Sequence, residues 1–332
     1  MSDQRTAGCD QVRAERPRKS TALGLGADRN RARADRAPWA LIALWAALAV
    51  GCPRPGPGPV AAEAGLVGPQ AGEQWVDGSA LEGGDGSAAR PFRGLKDALA
   101  PQALIHLRTG LYAGPWILPA GVRLVGHGEV VLYAEGEGTV VSASAASLEG
   151  LSVQGGFIGL RATGPVTLRR VHLSGHRRVA VVASGPLTLE DSVLEGTVSE
   201  TRGVQLLAGS HGIVRRVRFT GAFRHAIDAE DARLDGEELQ SEGPAQALHL
   251  VRSQAQVRRL AVAGGSGPGI FVAQGRLALR DSSVNGHEYG LQARLAKLEV
   301  THFTSRRVLL AGVATVQCSG TLAGVTTEQS GT

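Results

Sequence analysis

The chain is short of aromatic rings and of sulfur. Its 332 residues include 4 Trp, 3 Tyr, 6 Phe, 1 Met and 3 Cys. Three cysteines, Cys9, Cys52 and Cys318, are too few for a disulfide framework. No Cys/His spacing suits zinc, and no P-loop or dinucleotide fingerprint is present. Long apolar runs are also missing. The longest, Trp39–Val50, spans 12 residues. As a helix it would rise about 18 Å, short of the roughly 30 Å of a hydrocarbon core. A large charge imbalance is absent from the body. The net charge of +5 comes mostly from residues 1–51, where nine Arg/Lys face five acids. The rest holds 26 basic and 25 acidic residues, so no electrostatic footprint for nucleic acid is expected.

What is abundant is Gly, 46 residues, with Val, Leu and Ala. This composition predicts many short strands joined by tight turns. From Leu148 onward a pattern L-x-x-L-x-V-x-G recurs. The copies begin Leu148-Leu151-Val153-Gly155, Leu168-Val171-Leu173-Gly175, Leu189-Ser192-Leu194-Gly196 and Val214-Val217-Phe219-Gly221. They continue as Leu234-Glu237-Leu239-Ser241, Val257-Leu260-Val262-Gly264, Leu279-Ser282-Val284-Gly286 and Leu298-Thr301-Phe303-Ser305. Their final residues are 20, 21, 25, 20, 23, 22 and 19 apart. A period near 21 with local alternation predicts stacked coils.

Each copy is followed by a small residue, an aliphatic, any residue and another aliphatic. Examples are Gly159-Leu160, Ala180-Val181, Gly203-Val204, Ala226-Ile227, Ala247-Leu248, Gly269-Ile270 and Gly290-Leu291. One coil therefore carries three short strands, with the aliphatics inward and the free position outward. Coils stack at about 4.8 Å, each covering the apolar residues of the next. In this frame Glu237 occupies an aliphatic position, so either the coil is distorted there or the carboxylate reaches solvent at the corner; distortion is expected, because a buried unpaired carboxylate is costly. The two-residue corners Arg169-Arg170, Glu190-Asp191, Arg215-Arg216, Asp235-Gly236, Arg258-Arg259 and Arg280-Asp281 would stack as a self-neutralising charge ladder.

These coils resemble the right-handed parallel β-helix of the pectate-lyase-like superfamily, over about residues 104–325. The segment WVDGSALEGGDGSAARPFRGLKDALA, with RTGLYAG and GVRLVGHGEVVL after it, resembles the N-terminal segment of many secreted bacterial β-helix proteins. The resemblance implies an all-β solenoid with a capping helix. Pro91 would sit in its first turn, with Phe92, Leu95, Ala98 and Leu99 on one face. A leucine-rich repeat is the alternative, but its N/C-x-L signature is absent. Gly126-His127-Gly128 and Ser210-His211-Gly212 are read as turns.

Leu48-Ala49-Val50-Gly51-Cys52 resembles the bacterial lipobox, with Ala49 where Leu is commoner. That implies a removed leader over 1–51 and a lipid on Cys52, with Cys52 and Cys318 left in the mature chain. Residues 52–73 read as a Pro/Gly-rich tether. Pro53 follows the cysteine where Asp would imply inner-membrane retention, so the outer membrane is expected; secretion or a periplasmic location is the alternative. The domain plan is completed by a cap and first coils over 74–140, the β-helix over 141–325 and a tail over 326–332. A monomer is expected.

The outward stripe of the third strand reads Arg161, Val182, Gln205, Asp228, His249, Phe271, Gln292. Asp228 and His249 fall on adjacent coils, within hydrogen-bond reach. Arg202, His225, Gln246 and Tyr289 lie just before the strand. Gln205, Asp228, His249, Phe271, Tyr289 and Gln292 form a candidate face for a glycan or another surface polymer. If the protein is an enzyme, Asp228, His249, His225 and Arg202 are the candidate catalytic group. Pectate-lyase relatives use clustered carboxylates to hold Ca²⁺, and this stripe has one. Hydrolase action needs two or three acids at set separations, and none is found. A non-catalytic glycan-binding role is therefore expected. The alternatives are a polysaccharide lyase and a structural or protein-interaction role. No cofactor is expected. Asp77 and Asp85 are weak Ca²⁺ candidates without the spacing of a known loop.

Overall fold

The computed structural model describes residues 72–329. The leader, Cys52 and nearly all of the tether lie outside the described residues. Every strand pairing in it is parallel, as stacked coils require. The chain is a parallel β-solenoid of about 11 turns.

Two sheets wrap one core. The front sheet has ten strands, each the third strand of a coil. They run from Trp116–Leu118 through Thr139–Ala143, Ile158–Ala162, Val179–Ala183, Arg202–Leu206, His225–Glu230, Gln246–Val251, Pro268–Ala273 and Tyr289–Arg294 to Ala311–Val316. Their inward residues form one column. Leu160 pairs in register with Val181, Val181 with Val204, Val204 with Ile227, Ile227 with Leu248, Leu248 with Ile270, and Ile270 with Leu291. All seven are at most 1% exposed. The residue before each aliphatic is small, and at Gly203 the next coil and a buried ring press on it. A Cβ on Gly203 would lie 2.5 Å from the Ala226 carbonyl oxygen and 3.0 Å from the Phe219 ring.

The corner sheet has sixteen strands and carries the first two strands of each coil. Between residues 146 and 222 these are separate, as in Ala146–Glu149 and Ser152–Gly155. Beyond that they run together as Arg233–Glu242, Gln254–Ala263, Arg276–Asn285 and Lys297–Val308. The bend between them survives as one residue with positive φ in each coil: Arg170, Asp191, Arg216, Glu238, Arg259, Asp281 and His302. At that bend two successive residues point outward, so the alternation is interrupted and a corner results.

The register corrects two coils. Val214 pairs with Gly236 and Gly236 with Val257, so Gly236 is the inward residue and Glu237 is not. Likewise Leu279 pairs with Val300 and Ser282 with Phe303, so Thr301 is outward. The coil at Glu237 is therefore undistorted. Glu237 is a corner residue whose carboxylate bridges Arg258 at 2.9 Å, Arg259, and Arg215 at 3.9 Å. The fourth corner is Glu237-Glu238 rather than Asp235-Gly236, and the alternation Arg-Arg, Glu-Asp, Arg-Arg, Glu-Glu, Arg-Arg becomes regular. Serines that stand at apolar positions of the pattern also find a reason here. Buried Ser192 accepts a hydrogen bond from the Val171 amide at 3.0 Å and donates to the Glu190 carbonyl at 2.6 Å. Ser282 does the same between Leu260 and Arg280. Each hydroxyl satisfies backbone groups that the bend leaves unpaired.

The cap is smaller than the sequence predicts. Its helix α1 is one turn, Leu95–Ala98, beginning after Gly94. Pro91 and Phe92 precede it, because Phe92 is drawn into a bridge with Val76 (Phe92 N to Trp75 O 2.9 Å, Asp77 N to Phe92 O 2.8 Å). Leu95 and Ala98 still enter the core. His127 lies within the long strand Val122–Ala134 rather than a simple turn, and Gly128 supplies the positive φ there. His211 opens the strand His211–Arg215. At the other end, the last strand, Ser319–Gln329, continues past the boundary expected at residue 325.

Candidate functional site

The front sheet places the outward stripe as the alternation predicts. Gln205 pairs with Asp228, Asp228 with His249, His249 with Phe271, and Phe271 with Gln292. Arg202, His225 and Gln246 stack beside them in a second column. Neighbouring strands thus bring five candidates together, around one carboxylate.

His249 Nδ1 lies 2.8 Å from Asp228 Oδ1, a hydrogen bond. Arg202 Nε lies 2.7 Å from Oδ2, and His225 Nδ1 lies 3.6 Å from it. The Arg202 N–H is not aligned with Oδ2, so that contact is an ion pair without a hydrogen bond. The rings of His225 and His249 stack at 4.3 Å with 12° between planes, and Phe271 stacks on His249 at 5.2 Å. Burial alone would raise the Asp228 carboxyl, but the imidazoles directed at it outweigh burial and hold it well below the usual carboxylate range. Burial pushes the His225 imidazole below its ordinary value, against the pull of Asp228. The site at neutral pH is therefore an ionised carboxylate, a guanidinium and a neutral His225.

A cavity of about 410 Å³ opens over this cluster. Arg202, Gln205, His225, Asp228 and His249 line it, with Arg224, Glu230, Gln246 and Ser266. Tyr289 and Gln292 do not line it; they stand two strands beyond His249. Phe271 gives one face to His249, so that face is not available to a sugar. Glu230, the last residue of the strand that carries Asp228, also lines the cavity and pairs with Arg252 at 2.5 Å. Arg224 and Ser266 were not among the sequence candidates. They precede the strands, where no alternation indicates a direction.

Among the described residues, His225, Asp228 and His249 are a group of three whose ligating atoms lie within 4.8 Å of one another. The donor set suits a transition metal; the geometry does not. The two rings are stacked and nearly parallel, so one ion cannot lie in both ring planes. The Arg202 guanidinium already neutralises the carboxylate. Asp77 and Asp85 stand elsewhere, in the cap loop. Asp77 accepts from the Ser79 hydroxyl at 2.6 Å and amide at 2.9 Å, and faces Arg108 at 3.3 Å. Asp85 accepts from the Ser87 amide at 3.0 Å and faces Arg90 at 3.6 Å.

With this geometry in hand, comparison with solved structures finds similar chains. They include polysaccharide lyases. A rhamnogalacturonan lyase matches at 11% identity and TM-score 0.46, over 71% of this chain and 74% of its own. An alginate lyase from a Paenibacillus species matches at 12% and 0.48, over 77% and 98%. A pectate lyase matches at 12% and 0.43, over 76% and 78%. At such identities the likeness concerns the course of the backbone, and no site residue is carried over from it. No protein-family model matches the chain, and no curated protein matches it in sequence.

Proposed function

We propose that the protein binds a glycan or another hydroxyl-rich surface polymer across the front sheet, at the cavity over Asp228, without transforming it. The observation that carries this reading is a set of buried polar atoms without hydrogen bonds, two of them set against the Asp228 carboxylate. Arg202 Nε, His225 Nδ1 and Gln246 Oε1 all belong to residues lining the cavity, and none has a hydrogen bond. Leaving such a group unsatisfied costs about 1–3 kcal/mol. A rigid sheet that holds two donors, an acceptor and an ionised carboxylate around one cavity is pre-organised for hydroxyl groups. Asp228→Ala, His249→Ala and Phe271→Ala are expected to abolish retention on the glycan that wild type selects from an array. Retention equal to wild type in all three would move the site elsewhere.

One contact favours a second reading, a polysaccharide lyase. His249 gives Nδ1 to Asp228, which fixes the ring and leaves Nε2 as its free nitrogen. That arrangement can orient a general base. Incubation with uronic-acid polymers separates the two readings. The binding reading expects no new unsaturated ends; ends that vanish in His249→Ala would establish the lyase.

We also propose that a lipid on Cys52 holds the protein in the cell envelope, in the outer membrane. The basis is the sequence Leu48-Ala49-Val50-Gly51-Cys52 followed by Pro53. Labelled palmitate is expected to enter the wild-type protein and not Cys52→Ser. Equal labelling of both would refute the anchor.

A further inference from the structure

The corner ladder alternates in sign through five coils, and then it breaks. After Arg258-Arg259 the next corner is Arg280-Asp281, so Arg258 faces Arg280 in register on the adjacent strand. Like charges directly opposite on paired strands destabilise a sheet. Arg258 is neutralised by Glu237 at 2.9 Å. Arg280 is not neutralised. Among the side-chain ion pairs and hydrogen bonds of the described residues, the Arg280 guanidinium takes part in none, and neither do those of Arg276 and Arg233.

These three arginines share one place. The strand Arg276–Asn285 directs Arg276, Ala278 and Arg280 outward by its period of two. On the strand before, Gln254 pairs with Arg276 and Gln256 with Ala278. One coil earlier Arg233 pairs with Gln254, and one coil later Lys297 pairs with Arg276. Ala278 leaves a gap in the middle of this grid, and a cavity of about 420 Å³ lies there. Arg233, Arg276 and Arg280 all line it, with Gln254, Gln256 and Ala278. Two acids, Asp235 and Glu299, line it as well, and each has a partner: Asp235 bonds to His211 at 2.7 Å and Glu299 faces Lys297 at 3.8 Å.

We propose that this basin is an anion site, separate from the front-sheet cavity. Its ligand carries at least two oxyanion groups (sulfate, phosphate or carboxylate) along a linear chain. Planar guanidinium groups on either side of Ala278 each grip one oxyanion by charge-assisted bonds. On the adjacent strand Gln254 stands opposite Arg276 and Gln256 opposite Ala278. A fold that matches its other corner arginines with carboxylates leaves the corner Arg280 unmatched at this cavity, with Arg233 and Arg276, also unmatched, beside it. Their mutual repulsion is accepted because the ligand relieves it.

The test is a calorimetric titration of the full chain with tripolyphosphate at low ionic strength. Wild type is expected to bind saturably. Arg276→Gln/Arg280→Gln is expected to weaken binding about tenfold or more, the loss of at least one hydrogen bond to a charged group. Ala278→Glu, which fills the basin with a carboxylate, is expected to abolish it. Arg216→Gln, an arginine of the same corner ladder that pairs with Asp191, changes affinity little. Arg280→Gln without ligand keeps or raises Tm, since it removes an unpaired charge. Wild-type affinity in the double variant, no saturable binding by wild type, or a lower Tm for Arg280→Gln would each overturn the proposal. Asp228→Ala leaves tripolyphosphate binding intact, so this site and the front-sheet reading stand or fall separately.

Discussion

Gly203→Val is expected to destabilise the solenoid severely, with loss of cooperative unfolding in the coils around residue 203. The branched side chain would place its Cβ 2.5 Å from the Ala226 carbonyl oxygen and 3.0 Å from the Phe219 ring. Backbone of the next coil cannot yield without breaking the hydrogen bonds that hold the strands Arg202–Leu206 and His225–Glu230 together. Overpacking a tight core usually costs about 1–3 kcal/mol, and obstruction by backbone places this change at or beyond the upper end. Gly78→Ala is the control. No atom lies within 4 Å of a Cβ built there, so its effect is expected within about 0.5 kcal/mol. Chemical denaturation of both variants measures the contrast. Equal stability for Gly203→Val and wild type would mean that the next coil and the buried ring do not press on Gly203.

Acidification is expected to destabilise the protein from about pH 6.5 downward, well before carboxylates titrate. His176, His225 and His287 are buried, 1%, 7% and 1% exposed. Burial lowers the pKa of each below the ordinary 6.5. The unfolded chain therefore takes up protons first as pH falls. The stability these neutral rings contribute is complete above 6.5 and is lost below it, until each folded pKa is reached. Each such histidine removes about 1.4 kcal/mol per pH unit in that window. Asp228 acts lower on the scale. Its carboxyl is depressed, so its contribution is present above 3.8 and fades only as pH falls towards its folded value. Tm measured from about pH 7.5 to about pH 5.5 should fall steadily, and His176→Gln/His287→Gln should flatten the slope whatever its own Tm. A flat wild-type profile across that range would show that these rings charge without penalty.

The third strand was legible to the residue, and the corner was not. In the front sheet one small residue and two aliphatics flank a single outward position, so the frame has one solution. Asp228 beside His249 follows from it, and the 2.8 Å contact agrees. The first strand of each coil has two inward positions, two residues apart: Leu187 and Leu189, Leu234 and Gly236, Leu298 and Val300. Where the second is Gly or Val, the leucine at the first draws the frame two residues early. That displaced Glu237 into the core on paper and hid the Glu237-Glu238 corner. The uneven spacings of 20 and 23 around Ser241 were the visible trace of that slip. Positive φ at non-glycine residues such as Glu238 and Arg259 carries no sequence mark. Cavities were also invisible. A gap at Ala278 or an orphaned Gln246 amide depends on side chains from several coils, and periodicity reports only which way each one points.

The account rests on coils that climb by one strand spacing per repeat with the outward residues aligned. Spin labels at Arg161→Cys and Gln292→Cys, with Cys9, Cys52 and Cys318 replaced by Ser, measure this directly. Six strand steps separate the two positions in the front sheet. At about 4.8 Å per step the distance should centre near 29 Å, and moving the second label to Ala314, one strand on, should lengthen it by about 4.8 Å. A distance that fails to grow between the two label pairs, or a broad distribution without a peak near the expected value, would contradict the stacked register.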